Sequence, residues 1–251
     1  MDTIKANGIA ALEVDISLSS ATLAVDGISI LNDLSFNVRS SRIGVVGRNG
    51  SGKSSLARLL AGLIAPKSGS VTINGIDVGR DRKAALSEVG ILFQNPDHQI
   101  IFPTVEEEIS FGLSQQGLPK HDVKDRTTRL LKEFGKAHWA DAHVASLSQG
   151  QKHLVCLMAI VAMRPKLIIL DEPFTGLDIP TKAQLNRYLS RYDGALLHIS
   201  HDPRDLNGYD HIIWLEDGAV SCIGAPEDVL PKYVDEMNKL GGLDDISDLS
   251  R

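Results

Sequence analysis

Cysteine is nearly absent: Cys156 and Cys222 are the only two in 251 residues. That excludes a disulfide scaffold and makes a reducing compartment the expected home. Basic charge is short as well. Lysine and arginine total 26 against 32 acids, a net of −6, which excludes a coat protein held on nucleic acid by phosphate neutralisation. No apolar run is long enough to span a bilayer. The longest lies between His153 and Arg164 and falls short of the about 20 residues a spanning helix needs. Glu13 and Asp15 interrupt any apolar leader, so the reading is a cytosolic chain without a signal peptide. Aromatic residues make up 5%, and none precedes Phe36. No internal repeat or low-complexity tract stands out. What is present, 43% hydrophobic and 23% charged residues, is the composition of a globular chain large enough for a full core.

The pattern along the chain is α/β. Leu12, Val14, Ile16 and Leu18, then Leu34, Phe36 and Val38, alternate with polar residues, as strands with one solvated face do. Ile43–Val46 is a short unalternating apolar run that suits a strand buried on both faces. Residues 54–63 read as a helix stopped by Pro66 and the turn residues after it. From Asn95 to about Leu147 the pattern turns helical, entered through a capping box of Thr104 and Glu107. Alternation of strand and helix then resumes: strand 167–170, helix 181–192, strand 195–199 and strand 212–215. Beyond Gly241, Asp244, Asp245 and Asp248 mark an acidic end expected to fray.

Gly47-Arg48-Asn49-Gly50-Ser51-Gly52-Lys53-Ser54 fits the phosphate-loop pattern and lies between a buried strand and a helix, where the mechanism requires it. Glycines let successive N–H groups turn inward onto phosphate oxygens, and the helix N-terminus adds partial positive charge. Lys53 can reach the β- and γ-phosphates, and the Ser54 hydroxyl can ligate Mg²⁺. Gly47, Asn49, Gly50, Ser51, Gly52, Lys53, Ser54 and Ser55 are the expected nucleotide-binding residues. The alternative, a glycine-rich turn of no function, requires the strand–loop–helix context to be coincidence.

Leu167-Ile168-Ile169-Leu170-Asp171-Glu172 is an apolar strand ending in two carboxylates. Taken alone, such acids are often helix caps or solvated loop residues. Beside a phosphate loop, Asp171 is placed to organise Mg²⁺ and Glu172 to act as general base on the attacking water. Ser148-Gln149-Gly150-Gln151 opens the next apolar helix, and its S-x-x-Q spacing reads equally as a capping box. Eight histidines are present, but none sits in a Cys/His cluster with zinc-type spacing. His198 is expected as a packed strand residue, Cys156 as a small core residue, and Trp139 and Trp214 as packing.

Leu147-Ser148-Gln149-Gly150-Gln151 upstream of a strand ending Asp-Glu is similar to the signature of ATP-binding cassette ATPases. The rest of that family's pattern follows in order: Gln94 after an apolar strand, Gly176-Leu177-Asp178 resembling the D-loop, and His201 resembling the switch histidine. The likeness covers about residues 11–225. The stretch from Phe93 to Gln99, then Pro103 to Glu108 and Phe111-Gly112, resembles ATPase subunits of energy-coupling-factor importers, which take up vitamins and transition-metal ions. Overall likeness is greatest to the biotin-importing branch, then to the cobalt and nickel branches. The middle signature residue departs from the pattern: Gln149 replaces the usual glycine, and Leu154 replaces a commonly basic residue.

The resemblance implies an α/β P-loop NTPase fold with a RecA-like core, an N-terminal antiparallel β subdomain and an inserted helical subdomain. The expected division of the single domain is β subdomain and core at 11–94 and 165–225, helical subdomain at 95–164, and a short tail at 226–251. It implies ATP and Mg²⁺ as cofactors. Glu172, His201 and Gln94 would be catalytic; Ser54, Gln94 and Asp171 would stand at the metal; Ser148, Gln149, Gly150 and Gln151 would act on the ATP of a second subunit. Asp178 belongs to the D-loop. It further implies an integral-membrane coupling subunit, a substrate-binding membrane subunit, a second copy or related ATPase, no nucleic acid, and a place on the cytoplasmic face of the membrane. The segment 95–112, with its Pro and Glu residues, is either the docking point of the membrane partner or a solvated connector. The alternative function is a soluble cassette ATPase acting on ribosomes or DNA; such proteins usually carry two cassettes or a long coiled coil, and neither is present here. Without an early aromatic to stack on adenine, looser affinity and weak discrimination between ATP and GTP are expected.

Overall fold

The computed structural model describes residues 12–241. The chain opens with β1 (Val14–Val25), β2 (Ile28–Ser40) and β3 (Arg42–Val46), then α1 (Lys53–Leu60), β4 (Ser68–Ile73), β5 (Ile76–Asp77), α2 (Arg82–Glu88) and β6 (Val89–Leu92). Three helices follow, α3 (Val105–Gln115), α4 (Lys120–Glu133) and α5 (Gln149–Met163). The chain closes with β7 (Leu167–Asp171), α6 (Ile179–Leu189), β8 (Ala195–Ile199), β9 (His211–Glu216), β10 (Ala219–Gly224) and α7 (Pro226–Gly241).

Two sheets result. One is antiparallel in the order β2-β1-β4-β5; the other runs β10-β9-β3-β8-β7-β6. The second is parallel from β9 through β6, with β10 as an antiparallel edge. Helix α1 is packed between the sheets, burying Leu56, Leu59 and Leu60 completely or nearly so. Each such leucine contributes about 1.5–3 kcal/mol on leaving water. Strands β3, β7 and β8 are buried along nearly their whole length, because helices or the other sheet cover both faces. Their unalternating sequence follows from that.

The alternation in β1 changes phase at one place. Val14, Ile16 and Leu18 face inward, then Ala21 and Leu23 do, with a register shift between Leu18 and Ala21. A bulge at Ser19-Ser20 supplies the extra residue. Gly69 lies against it at φ +80°, where a Cβ would come within 2.2 Å of the Ser20 carbonyl oxygen.

Residues 95–164 hold α3, α4 and α5 around a second core that includes Ile109, Leu113, Leu131, Trp139 and the buried face of α5. The expected capping box at its entrance is formed: the Thr104 hydroxyl accepts from the Glu107 amide, and the Glu107 carboxylate accepts from the Thr104 amide. Trp139 and Cys156 are both buried here.

Three boundaries differ from the sequence reading. Helix α1 ends at Leu60 and α6 starts at Ile179, each displaced by a turn-forming residue: Gly62 at φ +68° and the capping Asp178. The segment from 226, expected as a tail, is helical through Gly241. It buries Val229 and Tyr233 against β9 and packs Tyr233 edge-on to Trp214. Its apolar residues lie at helical spacing, which decides the matter. The acidic residues 244–248 lie outside the described residues.

Candidate active site

The loop between β3 and α1 is built by glycine geometry. Gly50 and Gly52 sit at φ +83° and +98°, and a Cβ on Gly52 would press within 2.7 Å of Leu31 Cδ2. Gly52 is also the residue from which α1 starts, so the loop delivers a free helix N-terminus. Lys53 is buried and folds back over the loop, donating to the carbonyls of Gly47 at 2.8 Å and Arg48 at 2.7 Å. Burial pulls its pKa down, and the nearby Glu172 and Asp171 carboxylates pull it back up. The Ser51 hydroxyl is buried with no partner among the described residues, as a group waiting for a ligand oxygen is. Tyr233 of α7 donates to the Gly47 carbonyl at 3.4 Å, so the helix once expected as a tail braces the start of the loop.

At the end of β7, the Ser54 hydroxyl donates to Asp171 at 3.1 Å. Burial raises the Asp171 pKa, and that hydrogen bond opposes the rise. Ser54, Asp171 and the exposed Gln94 are oxygen donors of the kind Mg²⁺ takes, and the Ser54–Asp171 contact places two of them together. The donor set fits the ion.

Glu172 follows in the left-handed region, φ 49°, which costs a non-glycine residue roughly 1–2 kcal/mol. Its amide donates to the Ile199 carbonyl at 3.1 Å, fixing the turn that aims the side chain. Three donors meet one carboxylate oxygen, Oε2. They are Gln94 Nε2 at 3.4 Å, the Thr175 hydroxyl at 3.3 Å and His201 Nδ1 at 3.3 Å. Three residues expected from far-apart motifs are thereby in mutual contact, and Thr175 joins them unforeseen. Strand β6 ends at Leu92, so Gln94 lies in the bend beyond it. His198, one strand position from Ile199, is buried against Phe174 and Tyr209. Burial drops its pKa to about 4, and it is the packed strand residue expected.

Ser148 to Gln151 form a capping box at the start of α5, with Gln151 Oε1 accepting from the Ser148 amide at 2.8 Å. They make no hydrogen bond to residues 47–54 among the described residues. The inner face of α5 is instead tied to the segment after Gln94. Gln149 Nε2 lies 3.4 Å from Asn95 Oδ1, Lys152 is 2.7 Å from Asp97, and His153 Nε2 is 3.0 Å from the Gln94 carbonyl. His153 is buried, and burial lowers its pKa. Sequence reading passed over it, although its place four residues after Gln149 sets it on the same face. At Gly150 a Cβ would meet Thr181 Cγ2 at 2.7 Å, so a larger residue would have to displace that side chain. Asp178 caps α6 by accepting from the Thr181 amide at 3.0 Å, and the Thr181 hydroxyl together with that amide holds its pKa below the usual carboxylate value.

An apolar groove of about 420 Å³ opens between the α1–α2 edge and α3–α5, lined by Leu63, Leu86, Gln99, Phe111 and Met163 among others. Leu63 and Phe111 are 50% and 37% exposed, and nearby Ile101 is 69% exposed. Within the run Glu106 to Glu108, two of the three carboxylates are engaged in the fold. Glu108 is buried and accepts from the amides of Ile101 and Phe102, both at 2.9 Å, and Glu107 completes the Thr104 cap. At the tip of the β1–β2 hairpin, Val25 and Ile28 pair across the strands and are 50% and 68% exposed. β2 runs from this tip past the phosphate loop, where Ile30 O and Leu31 border Gly52.

The ABC transporter family profile matches residues 31–175. The biotin transport ATP-binding protein BioM of Rhodobacter capsulatus is 47% identical over 90% of this chain and 96% of its own length. The energy-coupling factor transporter ATP-binding protein EcfA1 of Lactobacillus delbrueckii subsp. bulgaricus is 36% identical over 85% of this chain and 78% of its own. Among solved structures, cbiO1 from Clostridium perfringens, described as part of the ABC transporter complex cbiONQ, superposes with a TM-score of 0.71 at 27% identity. That match covers 91% of this chain and 95% of cbiO1.

Proposed function

The chain belongs to the ABC transporter family and is an ATPase, and we propose that it powers an energy-coupling-factor-type importer, with biotin the favoured solute. The observation that carries the transport reading is the groove beside the Gln94 segment. Gln99 and Phe111, from the stretch 95–112, line an exposed apolar surface of the kind that a cytoplasmic helix of a membrane partner covers. The same stretch leads back to Gln94 at Glu172. A docked partner and the reacting phosphate therefore pull on one segment. A soluble cassette acting on ribosomes or DNA is disfavoured by the net charge of −6. No helix among the described residues is long and apolar enough to cross a membrane, so the membrane path is supplied by the coupling and substrate-binding subunits, with this chain on the cytoplasmic face.

The chemistry runs on this chain's own groups. The loop amides and Lys53 bind the phosphates of ATP, and Lys53 trades its carbonyl partners for phosphate oxygens. Ser54, Asp171 and Gln94 would hold Mg²⁺, which would supply neutralisation of phosphate charge. The three donors on Glu172 all reach Oε2, which leaves Oε1 to take a proton from water. The water oxygen bonds to the γ-phosphorus as the bond from that phosphorus to the β–γ bridging oxygen breaks, and ADP leaves with it. His201 stabilises charge on the transferred phosphoryl group. Ser148 and Gly150 serve the ATP of a second subunit. Two subunits meet head to tail around two nucleotides, in a symmetric pair if the partner is identical.

The test is affinity purification of the tagged chain from gently solubilised membranes of its host, with mass spectrometry of what accompanies it. A multi-helix coupling protein and a small substrate-binding membrane protein are expected, and the eluted solute then identifies the cargo. Ribosomal or DNA-repair proteins with nothing from the membrane would overturn the reading.

A further inference from the structure

A second concavity, of about 550 Å³, lies between α4, the end of α5 and the end of α6. Four arginines line it: Arg126 and Arg129 one turn apart on α4, Arg164 at the C-terminus of α5, and Arg191 just beyond α6. It is remote from the phosphate loop. Arg164 and Arg191 precede the N-terminal ends of β7 and β8, whereas the loop follows the C-terminal end of β3, and these strands are parallel. Five-residue strands put roughly 16 Å between the two ends.

The lining carries four arginines against two carboxylates. Glu133 and Asp193 also line the concavity, yet among the described residues neither forms an ion pair with any of the four, although Glu133 stands within reach at i+4 from Arg129. Arg39, Arg80 and Arg204, by contrast, each hold a carboxylate. Helix dipoles account for a basic residue at the C-terminal ends of α5 and α6. They do not account for Arg126 and Arg129, which stand in the middle of α4. In a chain of net charge −6, four exposed guanidinium groups converging from three helices make a local basic patch whose field favours a compact polyanion. Each presents a planar fork that matches phosphate oxygens in pairs. A compact anion can sit among the four forks, while an acidic peptide laid across the whole concavity would also meet Glu133 and Asp193.

We infer that this concavity binds a phosphate group, whether from a free polyphosphate or from a phospholipid headgroup. The inference does not depend on the importer reading.

Two probes separate the sources, both used on the full chain with its nucleotide site filled by saturating ADP. Inorganic pyrophosphate is titrated by calorimetry, and flotation with vesicles of phosphatidylglycerol is compared with vesicles of phosphatidylcholine. The triple variant R126Q/R129Q/R191Q changes only exposed side chains and is expected to weaken binding of the responding probe about tenfold or more. R129K/R191K keeps the charge but loses the fork, and is expected to fall between the triple variant and wild type. R187Q, an exposed arginine outside the concavity, leaves binding unchanged. Response to pyrophosphate assigns a free anion, and response only to phosphatidylglycerol assigns a headgroup. No binding of either probe at millimolar concentration, or equal binding by wild type and the triple variant, overturns the proposal.

Discussion

The phosphate-loop side and the signature side of this molecule differ in completeness. On the first, the residues we propose for hydrolysis already touch within one chain: Ser54 meets Asp171, and Gln94, Thr175 and His201 meet Glu172. On the second, Ser148 to Gln151 are held firmly by their own helix and by Asn95, but face no ligand group of their own chain among the described residues. The contrast teaches that the cluster around Asp171 and Glu172 assembles within one chain while the helix N-terminus at Ser148 stands apart from it, and that the tie between them is the α5 face carrying Gln149, Lys152 and His153.

The largest effects should come from breaking the complete side. Lys53→Ala removes two charge-assisted contacts to phosphate, about 1.5–3 kcal/mol each. Titration of a fluorescent ATP analogue should show binding weakened roughly 100-fold or more. Near-normal affinity would mean that Lys53 stays on its Gly47 and Arg48 carbonyls. Glu172→Gln keeps the shape and loses the proton acceptor, so turnover should fall about 10²–10⁴-fold while ATP still binds. Because the signature side then retains an intact nucleotide to clamp, size-exclusion chromatography with ATP should show a stable dimer. Residual ATPase close to wild type would refute the general-base assignment. His201→Ala should also lose hydrolysis, by about 10²–10³-fold for a lost preorganised donor.

Much of the complete side was legible in sequence because its residues are bound to short covalent motifs. Lys53 and Ser54 follow from the loop spacing, and Asp171 and Glu172 from a strand whose apolar run stops abruptly. The capping boxes at Thr104 and Ser148 were legible for the same reason, since their geometry is local. What sequence missed is set by tertiary contact. Thr175 matters only because the left-handed turn at Glu172 brings it back to Oε2. Tyr233 matters because α7 packs on β9 and reaches Gly47. Glu108 matters because the loop amides of Ile101 and Phe102 donate to its buried carboxylate. Strand β4 and the edge strands β5 and β10 were also unread. They are short and partly polar, and pairing rather than hydrophobic pattern defines them.

The tie between the sides can be weakened without touching either. His153→Ala removes the contact to the Gln94 carbonyl, a neutral hydrogen bond whose loss is worth about 0.5–1.5 kcal/mol, or roughly 2–10-fold. If His153 positions Gln94, the loss should appear in kcat with little change in KM for ATP, and His153→Gln, which keeps a donor, should restore most of it. Equal loss in both variants, or a fall in thermal stability without a change in kcat, would reduce His153 to a packing residue.

The smallest effect concerns the base, the one part of ATP that neither side specifies. The first aromatic residue is Phe36, which packs against the core between the sheets. The hairpin tip nearest the loop offers only Val25 and Ile28. Aliphatic groups can cover one face of a purine, but they lack the π-surface that makes base–aromatic stacking worth about 1–3 kcal/mol. They also carry no hydrogen-bonding group to tell an amino from a carbonyl substituent. ATP and GTP should therefore bind with dissociation constants within about threefold of each other, read by competition against one fluorescent nucleotide. Ile28→Tyr should tighten both, by up to about tenfold, with the phosphate contacts unchanged. A strong preference for ATP in the unaltered chain would show that a group away from the hairpin tip reads the base.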